Sequence, residues 1–170
     1  PLDRVTLDAL AQRPDVAVSD SVHAQEHSLE VHLPFLQRVL DPFHLVPIAV
    51  GRTSVAQTAS LLRSVWGGSE TLVVVSSDLS HFFSQSHAMS VDGQTSATIL
   101  ALDAEKMLEE DACGRFPAAG LLAVARGRQM KVATVDRRTS ADTAGDPARV
   151  VGYGSYLFWE RQDAPTTERS

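Results

Sequence analysis

The sequence predicts a mixed α/β domain: a layered mixed sheet with helices on both faces. Three observations predict it. Hydrophobic residues make up 44% and charged residues 21% of 170, the balance of an ordinary globular chain. Apolar, β-branched runs alternate with stretches of helical spacing. The order strand, helix, strand between residues 43 and 76 implies parallel neighbours joined by a right-handed crossover. The length is enough for one domain with a real core, expected over residues 1–160 and followed by a polar tail at 161–170.

The elements follow in order. Residues 3–11 place Val5, Leu7, Leu10 and Ala11 at weakly helical spacing, and Gln12–Ser21, with Pro14, reads as a connection. In 24–33, Leu29, Val31 and Leu33 alternate as in a strand, while Leu29, Leu33, Leu36 and Leu40 fit a helix, so both remain open. Pro34 fits the first turn of a helix over 34–40. Phe43–Val50 reads as a strand, with Pro47 at an edge or bulge. Thr53 or Ser54 caps a helix through Trp66, with Val55, Ala59, Leu62, Val65 and Trp66 on one face, and Gly67-Gly68 stops it.

Residues 71–76 are the most strand-like run, Thr-Leu-Val-Val-Val-Ser. A helix is expected at about 87–101, with Ala88, Val91, Thr95 and Ile99 inward, and Asp103 caps a short helix to about Glu109. Ala118–Arg126 is an apolar helix closed by Gly127. Gln129–Asp136 and Arg149–Trp159 read as antiparallel strands joined by the polar loop 137–148, giving about four strands in all. Gly152 and Gly154 mark a bulge or the close approach of another backbone.

Bulk properties exclude several roles. The net charge is −6 without a Lys/Arg cluster, which argues against nucleic acid or an anionic membrane as main partner. No apolar run approaches the roughly 20 residues that span a bilayer, and no basic-then-apolar leader opens the chain. A single cysteine excludes an internal disulfide and fits a reducing, cytoplasmic setting. Pro1 rather than Met leaves both a processed product and a piece of a longer protein open.

Four features carry candidate chemistry. At the end of the 71–76 strand, His81 can act as general base with Asp78 orienting it, where open α/β sheets bind ligands. The alternative there is a helix cap with an incidental histidine. His23-Ala-Gln-Glu26-His27 matches the H-x-x-E-H zinc pattern, but that site needs a long helix, which Pro34 and the strand-like alternation disfavour. Cys113, just before the Pro117 helix, sits where a helix field favours the thiolate, a good metal ligand or nucleophile. The alternative is a small buried residue. Ser76, Ser77 and Ser80 lack the G-x-S-x-G setting of a hydrolase nucleophile. Together, one histidine from 23–32, Cys113 and Asp78/His81 outline a mononuclear site whose N and S donors favour zinc, iron or copper. Mononuclear catalytic sites usually take three protein ligands.

These residues resemble the Memo family. The resemblance rests on Glu26-His27-Ser-Leu-Glu-Val-His-Leu-Pro-Phe-Leu36, Ser76-Ser-Asp78-Leu-Ser-His81, Cys113-Gly114 and Val150-Val-Gly-Tyr-Gly-Ser155, in the family's order over about residues 1–159. The family in turn is similar in fold and pocket to class III extradiol dioxygenases. The resemblance implies metal binding by His27 and Cys113, with His81 as acid/base and Asp78 in the same pocket. Iron is the implied metal, with copper and zinc as alternatives. The family's first metal histidine lies in an S-P-H-A-G type motif that this sequence lacks, which implies that the N-terminal part of the family pattern, and part of the sheet, is missing. Cys113 stands where the dioxygenases carry a carboxylate, so dioxygenase activity does not follow from the fold. The resemblance implies either a redox metalloenzyme or a non-catalytic metal- or peptide-binding interaction module. Its implied partners are an AMMECR1-like protein and a radical S-adenosylmethionine enzyme.

Overall fold

A computed structural model describes residues 1–143 and 145–160. The polar tail expected at 161–170 lies outside the described residues. The chain forms α1 (Arg4–Leu10), α2 (Asp20–His23), α3 (Leu33–Val39), α4 (Val55–Ser64), β1 (His81–Phe83), α5 (Gln85–Leu100), α6 (Ala104–Met107), α7 (Arg115–Gly127), β2 (Lys131–Thr139) and β3 (Val150–Trp159). Among the described residues the architecture is mixed α/β, with a small antiparallel sheet in the order β1-β3-β2.

Local signals place most helices. Asp3 caps α1 and Asp103 caps α6, each accepting a backbone N–H with its side chain. Ser54 and Gln57 form a reciprocal capping box on α4, whose Thr58, Ala59 and Leu62 are buried. Pro34 occupies the first turn of α3, and the ambiguous stretch before it contains only a single 3-10 turn, Glu30–His32.

The expected parallel unit is not formed. Neither 43–50 nor 71–76 lies in a strand, and the first makes only an isolated parallel bridge, Leu2 to Leu45. Strand propensity prepares a chain for a ladder but does not supply the partner. Leu72 and Val74 stand 61% and 45% exposed, as they would not in a central strand.

The predicted antiparallel pair is present. β2 and β3 pair from Lys131↔Trp159 to Thr139↔Gly152, with a shift between Thr134 and Asp136. The bulge is therefore at Val135 on β2, rather than at the β3 glycines. β2 runs three residues past the expected end at Asp136, through arginines that stay in solvent. Thr139 and Asp142 then form a capping box over the 3-10 turn Ser140–Asp142.

One face of the sheet covers the main core. Ile99, Met107, Ala112, Ala119 and Leu122 form its centre, with Val132, Tyr156 and Phe158 packed on it. A second cluster joins α4 to α7 through Ala59, Leu62 and Val124. Buried Glu110 links α5 to the start of α7, accepting from Thr98 Oγ1 at 2.7 Å and Thr95 Oγ1 at 3.1 Å. This packing fixes α7, and with it Cys113, against the segment after residue 76.

A candidate metal centre at Asp78, His81 and Cys113

The site forms where two chain segments meet. One is the polar end of the 71–76 run, continuing into β1. The other is the loop that opens α7. Leu79 N–H donates to Gly152 O at 2.9 Å and Gly152 N–H to Ser80 O at 2.8 Å, so residues 79–80 are held against β3 before β1 begins. His81 then pairs with Val151 and Phe83 with Val150. The irregularity between them is Phe82, at φ 66°. This short strand was not legible in the sequence.

Gly114 docks the second segment. Its N–H donates to Ser77 Oγ at 2.8 Å, and Ser77 Oγ donates to Asp78 O at 2.6 Å. A Cβ on Gly114 would lie 2.6 Å from Ser77 Cβ and 2.7 Å from Ser76 O, so only glycine permits this approach. The preceding residue, Cys113, receives the Asp78 N–H at its Sγ, 3.2 Å away.

Three ligand-type atoms result. One each from Asp78, His81 and Cys113 lie within 4.8 Å of one another. His81 Nε2 is 3.4 Å from Asp78 Oδ2, with the two side chains 28% and 45% exposed. Cys113 is exposed, so the group opens to solvent. Ligands held about 2.0–2.3 Å from one tetrahedral centre lie about 3.3–3.8 Å apart, so a small side-chain adjustment brings this set onto one ion. A carboxylate, an imidazole and a thiol fit zinc or iron better than magnesium or calcium.

The other sequence candidates do not join this set of donors. His27 is exposed in the 24–33 stretch and is not a member of this group. His23 ends the four-residue α2, and His27 lies beyond it, so H-x-x-E-H does not share a helix face. His32 reaches the edge of the site: its Nε2 is 2.9 Å from Ser76 Oγ. Ser77 is engaged as above and Ser80 Oγ is buried without a partner among the described residues.

One residue escaped sequence reasoning. Asp92 in α5 is 1% exposed, and its Oδ1 accepts Ser80 N–H at 2.9 Å. The spacing Ala88, Val91, Thr95, Ile99 assigns the inward position to Val91, which is only half-buried. The available signal was a carboxylate beside Gly93 at an inward position of a helix rich in small residues.

The family model described as Memo-like protein matches residues 2–157. The chain belongs to the Memo family. A MEMO1 family protein of Methanobrevibacter smithii is 34% identical over 92% of this chain and 60% of its own length. Another, from Methanopyrus kandleri, is 31% identical over 93% of this chain and 62% of its own. A third, from Sulfurisphaera tokodaii, is 28% identical over 92% and 60%. The chain thus spans about 60% of the length of the Memo-family relatives it matches. Among the described residues, no helix is long and apolar enough to cross a membrane.

Proposed function

We propose that this Memo-family chain carries a non-heme metal centre of extradiol-dioxygenase-like class, with iron as its ion and redox chemistry as its use. The observation that carries the reading is the convergence of the Asp78, His81 and Cys113 donors within 4.8 Å. Iron, when bound, supplies a redox-active Lewis acid. The chain's own residues do the rest. Cys113 presents sulfur, which accepts the Asp78 N–H at 3.2 Å and is held in place by it. Asp78 orients the His81 ring from 3.4 Å. His81 completes the donor set. Solvent exposure at Cys113 leaves room for a small substrate at the same centre.

Metal content after reconstitution with Fe(II) tests this reading. It is expected to be lost in Cys113→Ala and in His81→Ala. Unchanged iron in both variants overturns the site. Retention in His81→Ala together with loss in His27→Ala would transfer the ion to His27 and Cys113, and return His81 to the acid/base role that the family resemblance implies.

A further inference from the structure

Asp92 is an ionisable side chain in a place that packing does not call for. It lies mid-way along α5 and is 1% exposed. Oδ1 accepts the Ser80 N–H, but Oδ2 is buried with no hydrogen-bond donor among the described residues. A half-satisfied buried carboxylate lowers stability, and such groups persist where function holds them. Gly152 shows that the surroundings accommodate it: a Cβ there would collide with the Asp92 carboxylate.

Three elements meet at this point. Asp92 comes from α5, Gly152 from β3, and Ser80 from the segment that carries the site. Ser80 is bonded on one side to Asp92 and on the other to Gly152. Its neighbour is His81, and Asp78 lies two residues back. The backbone just beyond turns through Phe82 at φ 66°, a left-handed conformation that a large aromatic residue rarely adopts. The Arg149 guanidinium covers the Phe82 ring at 4.4 Å. A strained turn keeps its shape only when bonds from outside over-determine it. The Ser80 N–H bond to Asp92 Oδ1 is buried at 2.9 Å, shielded from competition by water.

We propose that Asp92 is a positioning residue for the metal centre, holding Ser80 so that His81 and Asp78 face Cys113. This inference rests on the metal-centre reading above.

The test uses the full 170-residue chain, Co(II) as probe, and three variants. Asp92→Ala removes the acceptor. Asp92→Asn keeps an Oδ1 acceptor and replaces the carboxyl group with an amide. Thr95→Val deletes a buried hydrogen bond from the same helix to Glu110 and touches nothing in the site. Asp92→Ala is expected to weaken Co(II) binding by about 10- to 100-fold, the usual effect of losing a group that orients metal ligands. Asp92→Asn should restore most of that affinity, and Thr95→Val should leave it unchanged despite its loss of stability. Equal Co(II) affinity in Asp92→Ala and the parent chain overturns the proposal. So does an equal loss in Thr95→Val at matched stability. Amide exchange at Ser80 and His81 gives a readout without metal. Selective loss of protection there in Asp92→Ala supports the role, and unchanged protection refutes it. If the parent chain binds no Co(II), the metal reading fails and the exchange result alone decides the role of Asp92.

Discussion

Replacing Gly114 by alanine tests the docking that brings Cys113 to Asp78. The new Cβ would stand 2.6 Å from Ser77 Cβ, 2.7 Å from Ser76 O and 2.8 Å from Ser77 Oγ. Carbon contacts are comfortable from about 3.5 Å, so the two segments must separate by close to 1 Å. Gly114 is buried at the cap of α7, and one contact is with backbone, so no flexible side chain can absorb the shift. Forced overpacking of this kind costs about 1–3 kcal/mol. Separation also stretches the Gly114 N–H bond to Ser77 Oγ, now 2.8 Å, a further loss of about 0.5–1.5 kcal/mol. Alanine brings no compensating helix propensity, because the N-cap position prefers glycine to alanine. The expected destabilisation is therefore about 1.5–4.5 kcal/mol. Urea denaturation measures it, with the slope of the transition unchanged. Metal binding should fall as well, because Cys113 moves with its neighbour. A loss under about 0.5 kcal/mol with metal affinity intact would refute the close docking.

Other perturbations have calculable signs. Gly120→Ala places a Cβ into the buried Thr58 side chain between α4 and α7. Helix propensity would gain up to about 1 kcal/mol, but the collision is worth about 1–3 kcal/mol, so net destabilisation is expected in thermal or urea unfolding. Thr98→Val removes the 2.7 Å donor to buried Glu110, which should lower stability by about 1–3 kcal/mol. Asp142 gives a pH signature. The Thr139 backbone N–H, followed by the Thr139 hydroxyl, holds its carboxyl below the ordinary value of 3.8. A carboxyl lowered in the folded state stabilises above its unfolded pKa, and loses that contribution as pH falls through the folded value. Asp142→Ala should therefore be less stable than the parent at pH 7, and the gap should close as acid protonates the carboxyl. A gap that persists unchanged into acid would contradict the capping box.

The sequence made most of the helices legible because their signals are local, whereas α2 begins inside the stretch read as a connection. Thr53 or Ser54 as a cap, Asp103 before Ala104 and Pro34 in a first turn are each read within a few residues. The β2–β3 pair was legible because an aromatic and β-branched run, Val150 to Trp159, follows a polar turn-rich loop; that Leu157 and Trp159 face solvent was not. The 43–50 and 71–76 runs misled because apolar β-branched composition reports propensity, whereas a strand is defined by a partner elsewhere in the chain. β1 is too short to carry a pattern. Asp78, His81 and Cys113 could be named from residue chemistry and motif, but their convergence depends on Gly114 packing against Ser77, a contact across 37 residues. Asp92 was missed for a related reason: helical spacing ranks inward positions by apolarity, and a buried carboxylate inverts that ranking.

The most direct measurement of the proposed centre is the iron bound per chain after anaerobic reconstitution, compared between the parent protein and Cys113→Ala. The reading predicts stoichiometric iron in the parent and loss of it when the sulfur is removed. The same iron content in both would contradict it.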